Sequence, residues 1–183
     1  MTGIPVAAFD ASGRRVITGQ DPLGRSMFFE DTYSESRMEV PGIVSLVDLW
    51  RMEQVPAAFN HNESPAGAPI LSPPSRGLIA RLVGIPPRGQ HSSQELFDSA
   101  FEQMAASGNQ GHTDRHPGMH KTSTVDLIYI VSGEAYAVLD EGEKLLKAGD
   151  LLVQRGTNHA WDNRATEICY MFAVLISAGA DNE

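Results

Sequence analysis

Cysteine is almost missing from this sequence: Cys169 is the sole one among 183 residues, so no intrachain disulfide can brace the fold. Its neighbours in Ile168-Cys169-Tyr170-Met171-Phe172 are apolar, which points to a packed, inert thiol. Basic charge is also scarce. Lys and Arg total 14 against 23 Asp and Glu, a formal net charge of -9, and no basic run with interleaved aromatics offsets that deficit locally. A nucleic-acid partner is therefore not expected. Long apolar runs are lacking too. The longest, Ile168 to Ala178, is about half of the ~20 residues that a membrane helix needs. Met1 to Pro5 has neither the basic region nor the apolar stretch of a secretory signal. No membrane partner is expected, and the expected location is the cytoplasm.

What remains is the composition of an ordinary globular protein, with 42% hydrophobic and 20% charged residues. That excludes disordered and collagen-like classes and suffices for one core without a staple. Short β-type runs between turn residues dominate, with no repeat of solenoid or propeller type. The first half offers Arg14 to Thr18, Ser26 to Phe29 and Ile43 to Trp50, then a loop rich in Pro, Asn, Ser and Gly from Pro56 to Gly77. A strand resumes from Gly77 to Ile85 and stops at Pro86-Pro87. Leu96, Phe97, Ala100, Phe101 and Met104 recur at helical spacing behind a capping-box signature, Ser92 with Glu95. The spacing predicts one helix over Ser93 to Ala106, docked by its apolar stripe, with Gly108 as its stop.

From Met119 onward the pattern is continuously β: Thr122 to Ser132, Ala135 to Asp140, Lys144 to Leu146, Leu151 to Arg155, Trp161, and Ile168 to Ile176. Many short strands with Gly and Pro turns predict an all-β, antiparallel jelly-roll barrel with an N-terminal strand extension and one short helix. The chain reads as a single domain, with N-terminal strands and loop over 1–76 and the barrel over 77–178. Both faces of Thr122 to Ser132 are apolar or must be covered, as are those of Ile168 to Ile176. The barrel interior can cover one side and the N-terminal strands, or a second subunit, the other; a homodimer is expected on that ground.

The stretch from His120 to Glu134, with Asp126 and Gly133 at a fixed spacing, resembles the first cupin motif. Gly149-Asp150 through His159, with Asn163 four positions beyond, resembles the second. The resemblance is strong over 119–163, and Arg155-Gly156-Thr157-Asn158-His159-Ala160-Trp161 looks like the end of small bacterial cupins of the conserved-barrel type. It departs from the pattern at three places: Thr122 stands where the second histidine belongs, Asp126 replaces the glutamate, and Arg155 replaces a proline. By matching position the resemblance implies a metal site of His120, Asp126 and His159 for a divalent ion such as Fe, Mn, Ni or Zn, with the same three residues as catalytic candidates. Two histidines and one carboxylate are also the ligand set of open iron sites.

Period-two alternation independently puts His120, Thr122 and Asp126 on one strand face, where inward polar groups need a partner. That partner is a cation or a hydrogen-bond network of Thr122, Thr124, Asp126 and Arg155. Thr122, Arg155, Trp161 and Tyr129 are the candidate substrate-pocket residues. His112, Asp114 and His116 read as a loop near the barrel mouth, and His61 and His91 sit in loop composition without sequence partners. Two functions stay open. One is a small-molecule enzyme, metal-dependent (oxygenase, isomerase, decarboxylase or dehydratase) or using its histidines as acid and base. The other is a metal-free barrel that senses or stores a small ligand. Fold alone does not decide.

Overall fold

A computed structural model describes residues 11–59, 65–89, 93–111 and 114–179. Eleven strands and one α-helix follow in chain order: β1 (Arg14–Gln20), β2 (Ser26–Tyr33), β3 (Arg37–Val40), β4 (Val44–Met52), β5 (Leu78–Ile85), α1 (Gln94–Gln103), β6 (Thr124–Ser132), β7 (Glu134–Leu139), β8 (Glu143–Lys147), β9 (Leu151–Arg155), β10 (His159–Asp162) and β11 (Cys169–Ser177). The fold is mostly β and antiparallel, with one short helix, as the turn chemistry implied. A six-stranded sheet of order β3-β4-β5-β11-β6-β9 faces a three-stranded sheet of order β10-β7-β8, while β1 and β2 form a separate hairpin.

The wide sheet places the later site. On β6 the side chains of Thr124, Asp126, Ile128 and Ile130 are buried, whereas Leu127 and Tyr129 are exposed. Inversion between successive residues is what a pleated strand dictates. On β5, Ile79 and Arg81 are buried, and Arg81 stands opposite Asp48 of β4 and Ala173 of β11. Between β6 and β7, Gly133 turns the chain at φ +75°, and a Cβ there would lie 2.8 Å from the Ile168 carbonyl oxygen. This requirement explains a glycine at the motif position.

The helix is shorter than its periodicity suggests. It ends at Gln103 with Met104 as its C-cap, and Ala105 takes the left-handed turn at φ 53°, so Gly108 is not its stop. A short 3-10 turn, Ser107–Asn109, follows. Ser93 occupies the N-cap without a side-chain hydrogen bond; Ser92, proposed as the capping residue, lies outside the described residues, as do His61, His91 and His112. The apolar stripe of α1 does dock. Ala100, Phe101 and Met104 pack on Val40, Ile43, Leu46 and Leu71. Burying a side chain such as Phe101 contributes about 1.5–3 kcal/mol. No described helix is long and apolar enough to cross a membrane.

Candidate functional site

His120 and His159 exchange both backbone hydrogen bonds, N–H to carbonyl at 2.8 and 2.9 Å. Residues paired in this way stand side by side on one face. Their rings accordingly lie 4.1 Å apart, centroid to centroid. Each imidazole has Nδ1 next to a carbonyl two residues back in sequence: His120 to Gly118 at 2.8 Å and His159 to Thr157 at 3.0 Å. A carbonyl only accepts, so Nδ1 carries the proton in both rings and each Nε2 keeps its lone pair.

The two lone pairs are used differently. His159 Nε2 accepts from the Gln154 side-chain amide at 3.1 Å, and the same amide nitrogen donates to Asp126 Oδ2 at 3.0 Å. Asp126 and Gln154 are register partners across β6 and β9, so their bond follows from strand pairing. His120 Nε2 has no hydrogen-bond partner among the described residues. Asp126 Oδ1 and Gln154 Oε1 are likewise buried without partners. Thr122 and Thr124 satisfy each other, hydroxyl to hydroxyl, at 2.7 Å.

These groups border a cavity of about 130 Å³. His120, His159, Thr122, Asp126 and Trp161 line it together with Arg81, and its other walls include Phe97, Phe101, Val83, Ile128 and Leu175. The face of α1 that docks on the core therefore also closes the cavity. Two expected pocket residues are elsewhere. Tyr129 is 45% exposed on the outer side of β6, and Arg155 is exposed at the end of β9. Both differ by one position in strand parity from the buried Ile128 and Gln154. The network expected through Arg155 is built by Gln154 instead. His116 is buried, meets the Phe97 ring edge-on at 5.4 Å and accepts from the Gly118 N–H at 3.0 Å; Asp114 is exposed.

Sequence reading missed Arg81, which is 2% exposed. Its Nε lies 2.9 Å from Asp48 Oδ1 and its Nη2 donates to the Ile70 carbonyl at 2.6 Å. Asp48 Oδ2 also pairs with Arg51 at 3.1 Å. Burial pulls the Arg81 guanidinium below its ordinary value, against the raising charges of Asp48 and Asp126.

Burial likewise favours the neutral imidazoles. It lowers His120, and with the neighbouring His120 it lowers His159 from 6.5 to about 3. Burial pushes the Asp126 carboxyl up, although the Thr124 hydroxyl, the Gln154 amide and the Arg81 charge pull it back. Below pH 6.5 an unfolded chain takes up protons that the folded imidazoles refuse, so their contribution is complete above that value and lost as pH falls, for His159 down to about 3. For His159 the loss is about 1.4 kcal/mol per pH unit, and His120 adds to it in the same direction. Asp126 acts oppositely, since its raised folded value favours the folded state on acidification. Two imidazoles outweigh one carboxyl, so urea melts should show stability falling from pH 6.5 to pH 4, and His159→Gln should flatten the fall.

The three-donor set implied by the motifs is not assembled in this arrangement. Among the described residues no three His, Cys, Asp or Glu side chains are placed to share an ion. The Gln154 amide hydrogens engage both Asp126 and His159, and the Thr122 hydroxyl is committed to Thr124. The residues as placed fit a hydrogen-bond network better than a metal.

No family model matches the chain. It is similar to a cupin-domain-containing oxidoreductase of Neurospora crassa, 28% identical over 170 residues that cover 88% of this chain and 74% of the relative. It also resembles the phomopsin biosynthesis cluster protein C' of Diaporthe leptostromiformis, 49% identical over 57 residues. That match covers 28% of this chain and only 30% of that relative's length. A solved cupin 2 conserved-barrel protein from Salinispora arenicola aligns at 15% identity and a TM-score of 0.41, over 77% of this chain and 82% of that one. Over most of its length the chain is similar to a cupin-domain protein, and its motif order and antiparallel sheets agree with that likeness. The bacterial subgroup expected from the sequence has no support, because the curated relatives are fungal.

Proposed function

We propose that this protein is an enzyme acting on a small organic molecule inside the barrel, with His120 as the base that moves a proton. The observation that carries this reading is the unengaged Nε2 of His120. Its ring is oriented by the Nδ1–H bond to Gly118, its lone pair has no hydrogen-bond partner among the described residues, and it borders a cavity with largely apolar walls. A base needs reach first and a suitable proton affinity second; burial keeps this imidazole neutral and ready to accept. Taking a proton from carbon leaves an electron pair on the substrate. Returning the proton at another atom gives isomerisation, and expelling hydroxide as water gives dehydration. The description of the N. crassa relative as an oxidoreductase supports small-molecule chemistry in this barrel.

The test is proton exchange in D2O, read by NMR across a panel of small unsaturated and hydroxylated carbonyl compounds. The wild type should incorporate deuterium into at least one class. His120→Gln should slow that incorporation by about 10²–10⁴-fold, the usual contribution of a positioned base. Equal rates in both proteins, or no exchange with any class, would remove the reading.

A second reading has one observation behind it: both imidazoles carry the Nδ1–H to carbonyl bond that usually orients a histidine ligand. In that reading His120 and His159 hold a divalent transition metal, and the Gln154 amide must first let go of His159.

A further inference from the structure

We propose that Arg81 forms an anion subsite in the cavity wall and that the substrate is a small carboxylic acid with an apolar, ring-sized body. This deepens the proposed function and rests on its premise that the cavity is the substrate site. Arg81 is almost wholly buried and lines the cavity. Its Nε faces Asp48 and its Nη2 is held by the Ile70 carbonyl, while Nη1 has no hydrogen-bond partner among the described residues. A guanidinium has five N–H donors and no means of accepting. Donors left over at a cavity wall ask for an acceptor.

The charges agree. Arg81 and Arg51 share the single carboxylate of Asp48, so neither guanidinium has an ion-pair partner to itself. An incoming carboxylate supplies the missing charge and a planar acceptor of the shape that arginine prefers. Much of the rest of the wall is apolar, including Val83, Phe101, Ala173 and Leu175, which suits hydrocarbon. The volume of about 130 Å³ is close to that of an engineered apolar cavity of about 150 Å³ that admits benzene. An acid anchored at Arg81 has its body inside the same cavity that His120 borders.

The experiment compares sodium benzoate with benzamide, two probes of nearly equal shape that differ in charge, by calorimetry on the whole chain. Charge-assisted hydrogen bonds are the stronger kind, so benzoate should bind at least tenfold more tightly than benzamide. Arg81→Met should abolish the preference in protein that still shows a cooperative melt. Should Arg81→Met fail to fold, Arg81→Lys keeps the charge and should retain part of the preference, and the wild-type ratio decides in any case. A ratio near one, no benzoate binding at millimolar concentration, or a preference that survives in folded Arg81→Met would overturn the proposal. These outcomes are separate from the base reading. Deuterium exchange that depends on His120 alongside a ratio near one removes the anchor and leaves the base; benzoate selectivity without exchange does the reverse.

Discussion

Asp48→Ala should destabilise the protein by about 3–5 kcal/mol, the usual result of removing one partner from a buried ion pair. Asp48 is fully buried in β4 and is the register partner of Arg81 in β5, so the pair is built into the sheet ladder. Without it Arg81 keeps its charge in a wall where burial already disfavours that charge. Arg51, the other partner, is partly exposed and can turn to water, so the cost falls mainly on Arg81. The double variant Asp48→Leu with Arg81→Met removes both charges at similar volume, and such replacements are often neutral or stabilising. Urea melts of the wild type, Asp48→Leu, Arg81→Met and the double variant close the cycle, with Asp48→Ala measured beside them. A loss below about 1 kcal/mol for Asp48→Ala would show that Arg81 is not held by this carboxylate.

The same pair shows what sequence order conceals. Asp48 and Arg81 sit in runs that read as strands, but nothing local says that β4 pairs with β5 in the register that opposes them. Register is a tertiary fact. Motif order, by contrast, is linear, and the resemblance to it singles out His120, Asp126 and His159, which line one cavity. Parity marks the boundary between the two cases. Arg155 stands at the position of the motif's proline, yet β9 turns Gln154 inwards and Arg155 outwards, and a shift of one residue exchanges strand faces. Apolar identity hid this alternation, since Leu151 and Val153 are 56% and 51% exposed despite being hydrophobic. Pairing Asp126 with the one polar residue inside that apolar run would have found Gln154. Tyr129 failed for the same reason of parity. Its exposed row with Leu127 is the face on which the sequence expects a second copy.

Thr122→His should raise affinity for a divalent transition metal by more than the ~10–100-fold that a ligand-supporting residue typically contributes. Thr122 is buried, lines the cavity with His120 and Asp126, and stands at the position that the motif gives to a second histidine. Its hydroxyl is a poor donor to such an ion and is engaged with Thr124. An imidazole there adds a strong nitrogen donor to His120 and His159 and makes three, the number that open catalytic sites commonly employ. The gain must overcome the Gln154 amide, which engages His159 Nε2 and Asp126 Oδ2. Adding Gln154→Ala to Thr122→His should therefore raise affinity again, whereas His159→Ala should lower it. Zinc and manganese titrations by calorimetry, with a melting curve for each variant, read the result. Unchanged affinity in folded Thr122→His would mean that position 122 does not converge with the two imidazoles, and the metal reading of His120 and His159 would then give way to the network through Gln154.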